Sequence, residues 1–303
     1  MTTTTTLREW LCEEKFAVAV SQGLLCESAS LGAVIALDEA FEGGLRERVT
    51  AVSGASSGAK IAAIIAQKHV SLDKAATELK NAGFKDIFRA AWMKHGHIED
   101  LLERVWGAGK TFEDCDIPFA TTAFDLRTFR SVTIDRGNLA SACQASGAFP
   151  GIFRPKKRGD HLFWDLAGFT DPAGVRGARV NTRLLQIAHA DWNLERWLVL
   201  SPAKFADGVQ VCSIVFKNHR RLIPLPCLFS KRRAALALEE AKEAVTKALD
   251  RPLCAGDTPG HFLCYVGSHE NHRTPKRRWR RFLLATTLLG LLVLAKRRRR
   301  RRT

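Results

Sequence analysis

The chain has no Cys-x-x-Cys pair. Its eight cysteines lie far apart, at 12, 26, 115, 143, 212, 227, 254 and 264, with no histidine at zinc-like spacing beside them. That scatter excludes a zinc ribbon and a thioredoxin-like redox motif. It fits free thiols, buried or half-buried, in a reducing compartment, and neither a metal nor an organic cofactor is expected. The opening stretch, MTTTTTLREWLCEEK, lacks the apolar segment of a secretory signal and carries an acidic pair, so cytosolic synthesis is expected. There is no internal repeat, no low-complexity middle, and no Pro/Gly/Ser-rich hinge before about residue 254.

Acid is missing from one region. Residues 273–303 hold thirteen Lys and Arg and no Asp or Glu. Of the formal net charge of +16, the first 272 residues therefore carry only about +3. This excludes a basic nucleic-acid-binding body, and no specific nucleic-acid partner is expected. A long apolar run is missing too. FLLATTLLGLLVLA (282–295) has fourteen uncharged residues, fewer than the ~17–25 that span a bilayer core comfortably. Arg280, Arg281 and Lys296 flank it and Trp279 lies just outside; long cationic side chains can snorkel and extend such a span. Residues 276–303 are expected to target a membrane surface, as a short C-terminal anchor or as an interfacial helix on anionic lipid. The expected location is a cytosol-facing intracellular membrane.

What is present alternates strand and helix. FAVAV (16–20) reads as a buried strand, and LGAVIALDEAF (31–41) as a helix stopped by Gly43-Gly44. RVTAV (48–52) is a second strand and AKIAAIIAQKH (59–69) an apolar helix. This β–α–β–α order predicts a mostly parallel sheet flanked by helices. Spacing predicts a helix over 71–83, strands over 117–126 and 130–134, and a helix over 138–146. It also predicts strands over 161–165, 183–189, 197–201 and 211–216, and a helix over 231–249.

Between the second strand and the second helix lies AVSGASSGAK (51–60). Too short for a linker, it joins two segments that both require burial. Gly54-x-Ser56-x-Gly58 in that context is a nucleophile-elbow pattern. The serine takes a strained backbone, the glycines remove side chains that would collide, and the helix start favours developing negative charge. A base is then needed. Histidines at 189, 219, 261, 269 and 272 keep a triad open by inventory, though none sits in a motif.

Five ordered segments resemble the patatin-like phospholipases: FAVAVSQGLLCESASLGAVIALDEAF, VTAVSGASSGAKIAAIIA, IPFATTAFDLRTFRSVTI, LASACQASGAFPGIFRP and LFWDLAGFTDP. The resemblance covers roughly residues 15–175. It implies a three-layer α/β fold, with a Ser–Asp dyad in place of a triad: Ser56 as nucleophile, Asp165 as base, and backbone amides of Gly23 and Leu24 as oxyanion donors. The implied substrate is phospholipid or acylglycerol. In the oxyanion loop, Gln22, Gly23 and Leu24 stand where the family carries three glycines, Cys26 where it carries arginine, and Glu27 where it carries the last glycine. An acid at 27 opposes an oxyanion if it points inward. The family's Asp-Gly-Gly reads Asp-Leu-Ala-Gly here, and Asp171 is a weaker candidate base. The alternative is a catalytically degenerate relative that keeps lipid or membrane binding. The expected organisation is an N-terminal extension (1–14), the hydrolase domain (15–254), a linker (255–275) and the tail (276–303).

Overall fold

Five consecutive buried residues, Phe16–Val20, form a strand with water on neither face, which is the signature of a central strand in a parallel sheet. The computed structural model describes residues 2–23, 26–81, 96–150, 153–166, 182–189, 200, 205, 208–216 and 231–267. In chain order its elements begin β1 (Thr2–Thr6), α1 (Leu7–Glu13), β2 (Phe16–Val20), α2 (Glu27–Glu39), β3 (Val49–Ala55), α3 (Ser57–Ala66) and α4 (Leu72–Asn81). Then come α5 (Gly96–Trp106), β4 (Phe119–Asp125), β5 (Arg130–Ile134), α6 (Leu139–Ser146), β6 (Lys156–Arg158) and β7 (His161–Trp164). The series ends with β8 (Arg183–His189), β9 (Gln210–Phe216), α7 (Lys231–Ala248), β10 (Pro252–Ala255) and β11 (His261–Val266).

All eleven strands among the described residues join one sheet. Its parallel core runs β11-β9-β8-β2-β3-β4, with antiparallel strands at both ends. The expected α/β class holds. One face packs on α2, α3 and α7 through residues such as Val18, Leu31, Ile61 and Leu238, and the other buries Ala17, Ala19, Ala51, Leu184 and Val211. Gly43 and Gly44, both at positive φ, end the α2 region as expected. Three buried polar groups tie β2 to β8 and β9: Gln186 Nε2 donates to Ser21 Oγ (2.6 Å), and Gln186 Oε1 accepts from Ser213 Oγ (3.0 Å). Each is satisfied inside the core.

Both ends of the expected domain need correction. The supposed extension (1–14) is part of the sheet. β1 pairs with β10, a capping box between Thr6 and Glu9 starts α1, and Leu7, Trp10 and Leu11 are buried. The supposed linker (255–275) begins as sheet, because β10 pairs with β11 and β11 runs parallel to β9. At the N-terminal end the physical reason is Arg183. This cation is 3 % exposed on β8, and its charge is met by Glu13 (2.9 Å), the Trp10 carbonyl (2.7 Å) and the Trp10 ring (4.2 Å), all from the N-terminal segment. Periodicity missed α5 and the three-residue β6. The expected strand over 197–201 lies outside the described residues apart from Leu200, whose N–H donates to Gln186 Oε1. The tail (276–303) lies outside them entirely. Among the described residues no helix is long and apolar enough to cross a membrane.

Candidate active site

At the end of β3 the chain turns through Ser56, whose φ of 55° and ψ of −123° are unusual for a residue with a side chain. The turn closes only because glycine flanks it. A Cβ on Gly54 would stand 2.4 Å from the Gly58 carbonyl oxygen, and one on Gly58 would stand 2.1 Å from that of Val20. Ser56 is also tied from the far side. Its N–H donates to Ser146 Oγ (2.8 Å) at the end of α6, and that hydroxyl donates to the Thr122 carbonyl of β4 (2.7 Å).

Sheet register brings the carboxylate to this serine. β4 pairs with β5 along one edge, and that pairing overlaps both the β3 and the β7 pairings. Hence β3 and β7 share the other edge of β4 and meet end to end. β3 leaves at Ala55, opposite Thr122, while β7 arrives from the other direction at Trp164, opposite Phe124. The next residue of each, Ser56 and Asp165, falls at the level of Ala123. Ser56 Oγ donates to Asp165 Oδ2 at 2.5 Å. The Asp165 N–H in turn donates to the Ala148 carbonyl (3.0 Å), just beyond α6.

Asp165 is 8 % exposed. Burial pushes its pKa up to about 7, against the lowering effects of the Ser56 hydrogen bond and the Lys60 charge; the Glu27 carboxylate adds to the rise. Glu27 does point inward, and it is matched. Lys60, one helical turn beyond Ser56, contacts Glu27 Oε1 at 2.6 Å, with each side chain 17 % exposed. The acid that sequence reading set against an oxyanion is thus held in an ion pair.

Gly23 sits beside the elbow. A single hydroxyl engages both of its backbone groups: the Gly23 N–H donates to Ser57 Oγ (3.1 Å), and Ser57 Oγ donates to the Gly23 carbonyl (2.6 Å). The amide expected to meet an oxyanion is therefore occupied by the residue next to Ser56. Leu24, its expected partner, lies outside the described residues, as does Asp171.

His189 is buried and serves elsewhere. Its Nε2 bonds Ser30 Oγ (2.8 Å), its ring stacks on Phe216, and burial pushes its pKa down to about 4. His219, His269 and His272 lie outside the described residues. Two side chains bond Ser56 among the described residues, those of Asp165 and Ser146. Among the described residues no cluster of three or more His, Cys, Asp or Glu could hold a metal. Sequence reasoning missed Lys60, Ser57 and Ser146. Lys60 carried a signal, its i+4 spacing from Ser56 on a helix; Ser146 carried none.

A family model described as patatin-like phospholipase matches residues 26–178, half of the chain, including Ser56 and Asp165 but not Gly23. Among solved structures, the chain is similar to VipD from Legionella pneumophila. The two are 12% identical with a TM-score of 0.40, over 78% of this chain and 67% of that one.

Proposed function

The chain belongs to the patatin-like phospholipase family, and from that premise we propose that it hydrolyses acyl esters of phospholipid or acylglycerol through Ser56 and Asp165. The observation that carries this reading is the 2.5 Å hydrogen bond from Ser56 Oγ to a buried carboxylate, at the start of α3. Asp165 takes the hydroxyl proton as Oγ attacks the ester carbonyl carbon. The tetrahedral oxyanion forms near the amides that open α3, where the helix dipole favours negative charge. Collapse breaks the ester C–O bond, and Asp165 returns its proton to the leaving alcohol. A water, deprotonated by Asp165, then attacks the acyl-enzyme, releases the fatty acid and restores Ser56. A carboxyl with a pKa near 7 is a better base for this work than an ordinary one.

The test is turnover of a short-chain p-nitrophenyl ester by the full chain. Ser56→Ala and Asp165→Asn are each expected to lower kcat by about 10³ or more. Rates equal to the unmodified protein's in both would sink the reading. The degenerate, lipid-binding alternative is favoured by one observation, the capture of the Gly23 N–H by Ser57. For the Gly23 amide to serve an oxyanion, the Ser57 hydroxyl must turn away. We assign the tail, residues 276–303, the task of holding the enzyme at a cytosol-facing membrane, where its substrate resides.

A further inference from the structure

Past the candidate active site, two hairpin tips leave the sheet together. The Leu126 N–H donates to the Leu162 carbonyl (2.8 Å), which continues the β4–β7 pairing three residues beyond the level at which Ser56 and Asp165 meet. At a rise of about 3.3 Å per residue, the tips stand about 10 Å further out. They lie at the carboxyl end of the parallel strands, the edge where open α/β sheets bind ligands.

Exposed apolar side chains collect there. Phe129 is 64 % exposed and Leu162 is 42 % exposed, two of the three large apolar side chains most open to water among the described residues. Leu126 faces the same side of the sheet as Leu162, being its cross-strand neighbour, and is only half-buried. Phe129 touches the protein edge-on at Phe124, with ring centroids 6.4 Å apart.

The backbone sets this exposure firmly. Phe129 has a φ of 57°, a conformation that is costly for a residue with a Cβ and free for glycine. An aromatic ring in a strained turn, facing water, contributes little to folding. The turn is nonetheless rigid. Asp125, 1 % exposed, accepts from the Arg127 N–H (3.0 Å) and the Thr128 hydroxyl (2.8 Å) and bonds His161 Nδ1 (2.8 Å). The Phe129 N–H closes the loop on the Asp125 carbonyl (2.8 Å).

Cations ring the apolar tip. Arg127 and Arg130 flank Phe129, and Lys157 pairs in register with Leu162; all three are exposed, and none forms an ion pair among the described residues. Asp160, in the turn between β6 and β7, is the exposed acid of the same tips.

We infer that the paired tips dock the protein on an anionic lipid surface, with Phe129 and Leu162 entering the interface and Arg127, Arg130 and Lys157 meeting headgroup phosphates. Apolar side chains that insert beside cations that stay at headgroup depth are what such a surface selects. The choice of lipid as partner rests on the hydrolase reading. Docking here brings the Ser56–Asp165 edge to within about 10 Å of the lipid, without any contribution from the tail.

The experiment uses the full chain and two vesicle types, pure phosphatidylcholine and phosphatidylcholine with about 30% phosphatidylglycerol. In flotation, Phe129→Ser/Leu162→Ser is expected to bind both types at least about fivefold more weakly. Arg127→Glu/Arg130→Glu/Lys157→Glu is expected to lose at least about fivefold on the anionic vesicles only. Unchanged thermal melting certifies the fold of each variant. Because the basic tail is also proposed to meet anionic lipid, a Phe129→Trp variant with brominated acyl chains reports the tip directly: emission quenched beyond that of the unmodified protein is expected. Equal flotation of all variants with no added quenching overturns the inference and leaves a protein partner for the tip. The hydrolase reading fails separately, when Ser56→Ala leaves turnover of the soluble ester unchanged.

Discussion

Two carboxylates and one ammonium share the surroundings of Ser56, and on the proposed hydrolase reading their balance sets the pH at which the site works. Asp165 accepts a proton only as the anion, and burial lifts its pKa to about 7, so kcat/KM on a soluble ester is expected to fall about tenfold per pH unit below that value. Lys60 pulls that pKa down and Glu27 pushes it up. Lys60→Met should therefore move the acid limb to higher pH by about half a unit or more, and Glu27→Gln should move it lower. Stranding the Glu27 carboxylate in the Lys60 variant should also cost about 1–3 kcal/mol of stability by urea denaturation. An acid limb that stays put in both variants would remove the pair from any part in tuning the base. At this scale Ser56 and its two glycines were legible in the sequence, because steric rules for a tight turn are local. Ser57 and Ser146 were not, since their partners, Gly23 and Thr122, lie 34 and 24 residues away in the chain.

Elements meet here through backbone approaches that leave no room for a Cβ. Gly32 lies inside α2, where alanine is intrinsically the better helix former by about 1 kcal/mol. A Cβ at this position would stand 2.2 Å from the Leu238 carbonyl and 3.1 Å from the Lys242 N of α7. Backbone cannot give way as a flexible side chain does, so packing outweighs propensity. Gly32→Ala is expected to destabilise by about 1–3 kcal/mol in urea, while the turnover of each folded molecule stays unchanged. A neutral or stabilising result would mean that α7 can withdraw from α2 without cost. Helix periodicity located α7 closely but began α2 a full turn late, at Leu31 where the helix starts at Glu27, because the polar first turn of α2 carries no apolar repeat. The sequence reading passed over α5, although its buried Ile98, Leu101, Leu102 and Val105 follow a helical repeat, and β6, which at three residues has no period to read.

At the scale of the molecule, the first strand of the chain joins one edge of the sheet through segments far along the sequence. β1 pairs with β10, Arg8 ion-pairs with Asp250 at 2.7 Å, and Trp10 covers Arg183. The basic tail belongs to the same scale, because the task proposed for its thirteen cations around an apolar segment is to place the protein at a membrane rather than to build its core. Alkaline carbonate is expected to leave the full chain with the membrane fraction. Complete release into the supernatant would rule out an inserted anchor and leave the interfacial helix. The docking tips at Phe129 and Leu162 would then share the task of holding the site to lipid.

By itself the sequence determined the alternation of strand and helix, the elbow at Ser56, and the near-neutral body behind a basic tail. Each follows from neighbours within about one helical turn or from simple charge. Tertiary structure alone decided that β3 and β7 meet end to end on one edge of β4, which is how residues 56 and 165 come within a hydrogen bond. It also decided that Glu27 finds Lys60 and that residues 252–266 extend the sheet. Strand register and edge choice are set by the sum of many distant contacts, and no short stretch of the chain carries that sum.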